Sequence, residues 1–207
     1  MLEINTKEDI IIPFDKIGED NWKIKTSQII EALAQNWEDE LKEPISAAEI
    51  SELEDRLGTT LPEQLNIFYQ TFGLANIGEE LQSFEDIGWL KDTGAADPEY
   101  GVDFTAEESA LLPYLVTFSD YLGNGNMFCF HSETKEIYYF DHDEAPYIYK
   151  MFNAVDDYIK CCLIFVQSDL FGENTTQEDV DQWTEEIAGT LIDKNHIRKW
   201  RYFNGWE

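Results

Sequence analysis

The chain has 207 residues, room for one substantial core, and 43% of them are apolar with 14% aromatic, which separates it from disordered chains. Its 14 basic residues stand against 43 acidic ones for a net charge of −29. Most of its surface therefore repels nucleic-acid phosphates and anionic membranes and draws in a basic partner, although acidity also serves solubility alone.

In chain order, residues 2 to 25 alternate loosely, with Ile10, Ile11 and Ile12 before Pro13 and Trp22 and Ile24 later, and read as one or two edge strands. From Thr26 to Leu41 the positions Ile29, Ile30, Leu33, Trp37 and Leu41 recur at helical spacing, with Thr26 or Ser27 as cap and Pro44 beyond. Two further helices are written back to back. Ser46 with Glu49 forms a capping box, Ile50, Leu53 and Leu57 share a face, and Gly58 suits the stop. Pro62 then opens a helix whose stripe is Leu65, Phe68, Tyr69 and Phe72, ending at Gly73.

Residues 74 to 110 are rich in Gly, Asp and Glu, with Leu81, Phe84, Ile87, Trp89 and Leu90 suggesting a packed loop or short strand. A connector of this length is uncommon unless it has a function, and its acidic members Asp92, Asp97, Glu99, Asp103, Glu107 and Glu108 are expected at the surface. Strands follow at Tyr114 to Phe118, Met127 to His131 and Glu136 to Asp141, with a fourth from Tyr147 to Phe152. The segments 123–126 and 132–135 supply the turns, so the order is antiparallel. Phe128 and Phe130 share one face, as do Ile137 and Tyr139. A buried helix covers Ala154 to about Gln167, and a last one is capped by Thr175 with Glu178 and turns Val180, Trp183, Ile187 and Leu191 inward. In the tail, Lys194, Arg198, Lys199 and Arg201 interleave with Trp200, Tyr202, Phe203 and Trp206. That pattern suits stacking on single-stranded nucleic acid, but with this net charge it is expected to fold back on the acidic body.

The run Glu49-x-x-x-Leu53-Glu54-x-x-Leu57-Gly58-x-x-Leu61-Pro62 with Phe68 and Gly73, followed at Leu112 to Asp143 by LPYLVTFSDYLGNGNMFCFHSETKEIYYFDHD, resembles the SMI1/KNR4 group, also called the SUKH superfamily. The resemblance covers about residues 45–160, leaving an N-terminal strand and helix extension at 1–44 and a C-terminal helical extension at 161–207 around a single domain. It implies a non-enzymatic binding module whose many bacterial members are immunity proteins that neutralise toxins, often nucleases. A regulatory scaffold of the kind the eukaryotic members imply stays open beside it.

Reactive chemistry has little to stand on. Gly123-Asn124-Gly125-Asn126 lies between strands and no lysine follows, which removes a phosphate loop; Gly-x-Ser-x-Gly is absent. Asp141, His142 and Asp143 leave a metal-dependent enzyme as a further alternative, but neighbours on an extended chain alternate, so at most Asp141 and Asp143 share a ligand. Cys129, Cys161 and Cys162 lack metal spacing and read as buried thiols; no signal peptide is visible, and the stretch Cys161 to Val166 is too short to span a bilayer, so the expected place is the cytoplasm. The sequence thus predicts an α+β fold, a single domain with an antiparallel sheet of about four to six strands and helices packed mainly on one face. It carries no cofactor and binds a basic protein, expected to be a cognate toxin domain, without contacting nucleic acid or membrane directly. The expected contact residues are Asp92, Asp97, Glu99, Tyr100, Asp103, Glu107, Glu108, Asp120, Tyr121, Asp141, Asp143 and Glu144.

Overall fold

The computed structural model describes residues 2–19, 21–96, 102–120, 125–192 and 194–202. The chain divides into two compact units, one made of Met1–Leu41 with Asp157–Glu207 and the other of Lys42–Asp156. The fold is α+β, and among the described residues the sheet has five antiparallel strands.

In the Lys42–Asp156 unit, α2 (Ala47–Leu57) begins with the reciprocal Ser46 and Glu49 capping box and ends at Gly58 in the left-handed conformation, as its sequence requires. Helix α3 (Glu63–Phe72) buries Leu65, Phe68 and Tyr69. Strands β1 (Glu80–Leu81), β2 (Leu115–Asp120), β3 (Met127–His131), β4 (Ile137–Phe140) and β5 (Ile148–Phe152) lie side by side in chain order. Both sheet faces are apolar. Phe128 and Tyr139, and Phe130 and Ile137, are cross-strand partners on one face. On the other, Leu115, Cys129, Phe140 and Ile148 pack with Leu90, Ala96 and Val102, so these three connector residues complete the core.

The connector is ordered where it is described. It contributes β1, 3-10 turns at Leu90–Asp92 and Gly94–Ala96, and a short helix, α4 (Ala106–Leu111). The sequence carried a signal for α4: Thr105 and Glu108 form the same capping box as Ser46 and Glu49.

The other unit corrects several expectations. Residues 2–19 hold no strand beyond a single parallel bridge from Ile4 to Phe171. Helix α1 runs Trp22–Trp37, so Trp22 and Ile24 are helical, Thr26 is a buried member of the stripe rather than its cap, and Leu41 lies outside, exposed. Trp22, Thr26, Ile29 and Leu33 continue one helical face backwards, and burying that face outweighs the cap preference of Thr26. Helix α5 (Val155–Phe165) continues into a 3-10 segment, Val166–Leu170. Helix α6 (Gln177–Ala188) is capped one residue later than expected, by Thr176 with Asp179, and its buried line is Val180, Thr184 and Ala188. In α7 (Lys194–Tyr202) Trp200 does fold inward, stacked on Tyr158 and edge-on to Phe165. Phe203 and Trp206 lie outside the described residues.

Gly73 is a fixed point. Its φ of +59° suits glycine, and a Cβ there would lie 2.1 Å from the Glu43 carbonyl oxygen, so the chain before α2 crosses the end of α3 at backbone contact. Gly58 also has positive φ, but a Cβ there would meet nothing within 4 Å. Gly73→Ala is therefore expected to cost about 2–4 kcal/mol and Gly58→Ala about 1 kcal/mol in urea unfolding. Equal costs for the two would show that the close approach at Gly73 is not a constraint.

Candidate partner-binding site at the acidic end of the sheet

Antiparallel register places distant acidic residues together. Glu80 lies opposite Asp120, Asp120 opposite Met127, Met127 opposite Phe140 and Phe140 opposite Ile148, so one line across the sheet marks a common end. Past that line lie Glu79 before β1 and the turn Asp141 to Glu144 after β4. The described segments that meet there, 76–80, 119–120, 125–127 and 140–148, contain six carboxylates and no lysine or arginine.

The turn is braced from within. Asp141 is fully buried and accepts hydrogen bonds from the backbone N–H groups of Asp143 (3.0 Å) and Glu144 (3.3 Å). The Oδ1 of buried Asn126 accepts the His142 backbone N–H at 3.0 Å and lies 2.8 Å from Nδ1 of the same ring, tying the end of the β2–β3 loop to the β4–β5 turn. Gly125 allows this, because a Cβ on it would come within 3.1 Å of the His142 ring. His142 Nε2 lies 3.2 Å from Asp143 Oδ1, an ion pair whenever the ring is protonated. The field is legible in the neighbouring phenols. Burial pushes the Tyr139 hydroxyl up, and Tyr149, Asp141 and Glu79 push it further; burial likewise raises Tyr149, with Asp141 and Glu144 adding to it.

The unit's few cations do little to offset this. Residues 42–156 hold 23 acidic and five basic residues. Arg56 donates to the carbonyls of Phe84 and Ile87, Lys135 to those of Thr60 and Ser132, Lys150 bonds Glu136 at 2.5 Å, and Lys91 lies 5.5 Å from the Trp89 ring centre. Arg56 and Lys135 thus hold loops in place, and none of the five basic residues lies in the segments of the acidic end.

Of the residues expected to make contact, Asp120, Asp141, Asp143 and Glu144 are gathered here, with Asp143 and Glu144 exposed, Asp120 half-buried and Asp141 interior. Glu79, buried, and Glu80, exposed, join them although the sequence reading passed over both; only the β1 to β2 pairing brings them in. Asp92, Asp103 and Glu107 are exposed on the connector and not part of this group. Asp97, Glu99, Tyr100 and Tyr121 lie outside the described residues.

Glu108 overturns its expected surface position. Only 5% exposed, its carboxylate accepts from the Thr105 backbone and hydroxyl, both at 2.8 Å, and from the Ile148 N–H at 3.0 Å. It joins α4 to the outer edge of β5, where an unpaired backbone donor would otherwise be buried. Asp141, His142 and Asp143 do not form a ligand set either: Asp141 faces inward onto the turn's own backbone. Among the described residues no three His, Cys, Asp or Glu side chains converge as a metal site would require.

The SMI1 / KNR4 family (SUKH-1) matches residues 44–161, more than half of the chain. The chain belongs to this family. The SUKH-1 segment coincides closely with the Lys42–Asp156 unit, so the acidic sheet end lies within the family's part of the molecule. No curated protein matches the chain. Among the described residues no helix is long and apolar enough to cross a membrane.

Burial raises the Glu108 carboxyl, but the hydrogen bonds from Thr105, Ile148 and Tyr147 together outweigh it and hold the group below its ordinary value. A depressed folded-state value stabilises the protein above the unfolded carboxyl range, near pH 4.5, and the benefit is lost as pH falls through the folded value. Glu108→Gln should destabilise the chain by about 1–2 kcal/mol at pH 7, and the difference from wild type should shrink below about pH 4.5. Unfolding curves measured from pH 3 to 7 check this; a difference independent of pH would remove the carboxylate's role.

Proposed function

We propose that the chain is a non-enzymatic protein-binding module, an immunity protein that binds and neutralises a cognate bacterial toxin of the nuclease type through the acidic end of its sheet. The observation that carries this reading is the convergence of Glu79, Glu80, Asp120, Asp141, Asp143 and Glu144 in segments without a lysine or arginine. SUKH-1 membership supports it, since the resemblance implies binding rather than catalysis.

The physical logic is complementarity. A nuclease needs a basic cleft to hold phosphates, and a rigid cluster of carboxylates meets that cleft with an opposite potential. Such a field chiefly accelerates encounter, so association is fast at low ionic strength and slows with salt. The bracing of the turn by Asn126 and buried Asp141 means that the backbone carrying Asp143 and Glu144 needs little further ordering on binding.

Calorimetry and stopped-flow mixing with a basic nuclease-type toxin domain, taken from any secreted protein encoded in the neighbouring genes, provide the test. The double reversal Asp143→Lys with Glu144→Lys, at exposed positions, should slow association and weaken binding at least about tenfold at low salt while leaving the unfolding curve unchanged. A complex insensitive to both salt and the reversal, or no complex at low ionic strength, refutes the proposal.

A further inference from the structure

In the described segments that meet at the acidic end of the sheet, one side chain can become positive, and it is His142. Its two ring nitrogens face different acceptors. Asn126 Oδ1 accepts the His142 backbone N–H at 3.0 Å, which fixes the orientation of the Asn126 amide, because a flipped amide would set one N–H against another. The same oxygen lies 2.8 Å from the ring Nδ1, so Nδ1 carries a hydrogen and donates it. A ring so held can take up a further proton only at Nε2. That nitrogen lies 3.2 Å from Asp143 Oδ1. Gly125, at φ +94°, backs the ring closely enough that a Cβ there would stand 3.1 Å from it. The side chain is nevertheless 33% exposed, so protons reach it from solvent.

We propose that His142 is a proton-operated control of the acidic end: with Nε2 bare, Asp143 is open to a cation of the partner, and with Nε2 protonated the ring takes that cation's place. The inference deepens the reading of this end as the surface that meets a basic partner, and rests on it. Histidine is the side chain whose charge ordinarily changes between about pH 5 and 8. In the neutral ring the Nε2 lone pair faces the carboxylate and no hydrogen bond joins them; in the imidazolium Nε2–H donates to Asp143 and the end gains its one positive charge. The other charged groups here are carboxylates: Glu79 and Glu80 at β1, Asp120 at the end of β2, and Asp141 and Glu144 in the turn itself. Asp141 is already engaged by the N–H groups of Asp143 and Glu144. The phenols beside them, Tyr139 and Tyr149, have hydroxyls raised by burial and stay neutral throughout this range. Ring and partner cation therefore compete for one carboxylate, and by linkage each weakens the other by the same factor. Because the Asp143 side chain is 47% exposed, that factor is the worth of one exposed ion pair, about two- to fivefold in affinity.

The experiment uses the full chain, labelled with ¹⁵N, and two readouts. Long-range ¹H–¹⁵N correlation of the His142 ring should show Nδ1 protonated and Nε2 bare at pH 8, with the second proton arriving at Nε2 as the pH is lowered. The peptide Ac-KKKK-NH2, whose own charge is constant over this range, is then titrated at low ionic strength at pH 8 and at pH 5.5, and its affinity is read from the backbone amides of Asp143 and Glu144. Binding to the wild-type chain should be about two- to fivefold weaker at pH 5.5. His142→Asn keeps an N–H donor for Asn126 Oδ1 but has no group that titrates here, so its affinity should be the same at both pH values. A hydrogen on Nε2 with Nδ1 bare at pH 8, a wild-type affinity that does not change with pH, a pH dependence that survives in His142→Asn, or a peptide that leaves these amides unshifted would each overturn the inference. The ring measurement needs no variant to fold. Failure of a toxin domain to bind refutes the neutralisation reading without touching either readout, so the two failures are distinguishable.

Discussion

An antiparallel sheet returns the chain to the same end on every second strand, and the acidic end of this molecule depends on that return. Because β2 to β5 are joined by short turns in unbroken order, the residues that close β2 and β4 and open β1 fall at one end, whatever their separation in sequence. The phase of the apolar pattern holds the register. Phe128, Phe130, Ile137 and Tyr139 must all face one core while Cys129 and Phe140 face the other, and a slip of one residue would exchange every side chain. The acidic end is thus fixed in space by apolar packing in the interior of the sheet.

A net charge of −29 repels itself, and the fold meets this partly by giving carboxylates structural work. Asp9, Glu49, Glu108 and Asp179 each sit at the third position of a capping box, where hydrogen bonds from the cap residue's hydroxyl and backbone N–H help to hold the carboxyl below its ordinary value. Cations are used in the complementary way. Arg56 and Lys135 bind main-chain carbonyls of loops, so their charge fastens segments together away from the acidic end. Structural use of the few cations and a sheet end rich in carboxylates are therefore two consequences of one composition.

Much of this was legible in the residues. Ser46 with Glu49, Gly58 and the stripe of α3 gave their helices because capping and helical periodicity are local properties. Strands β2 to β5 were recognisable from aromatic and β-branched runs between turn residues, and the family from two landmarks in the correct order. Thr105 with Glu108 spelled α4 in the same language, yet six helical residues inside an acidic connector give no apolar stripe to call attention to it.

The sequence by itself determined helices α2 and α3, the four longer strands, the excess of negative charge and the absence of familiar reactive motifs, all of which are set by neighbours within a few positions. The tertiary structure alone decided which carboxylates are available. Glu108 went inside to meet the Ile148 N–H, Asp141 turned onto its own backbone, and Glu80 arrived beside Asp120 through β1, a strand of two residues. Burial and strand partnership arise from contacts between distant segments, and the identity of an acidic residue says nothing about which N–H group will lie across from it once the chain has folded.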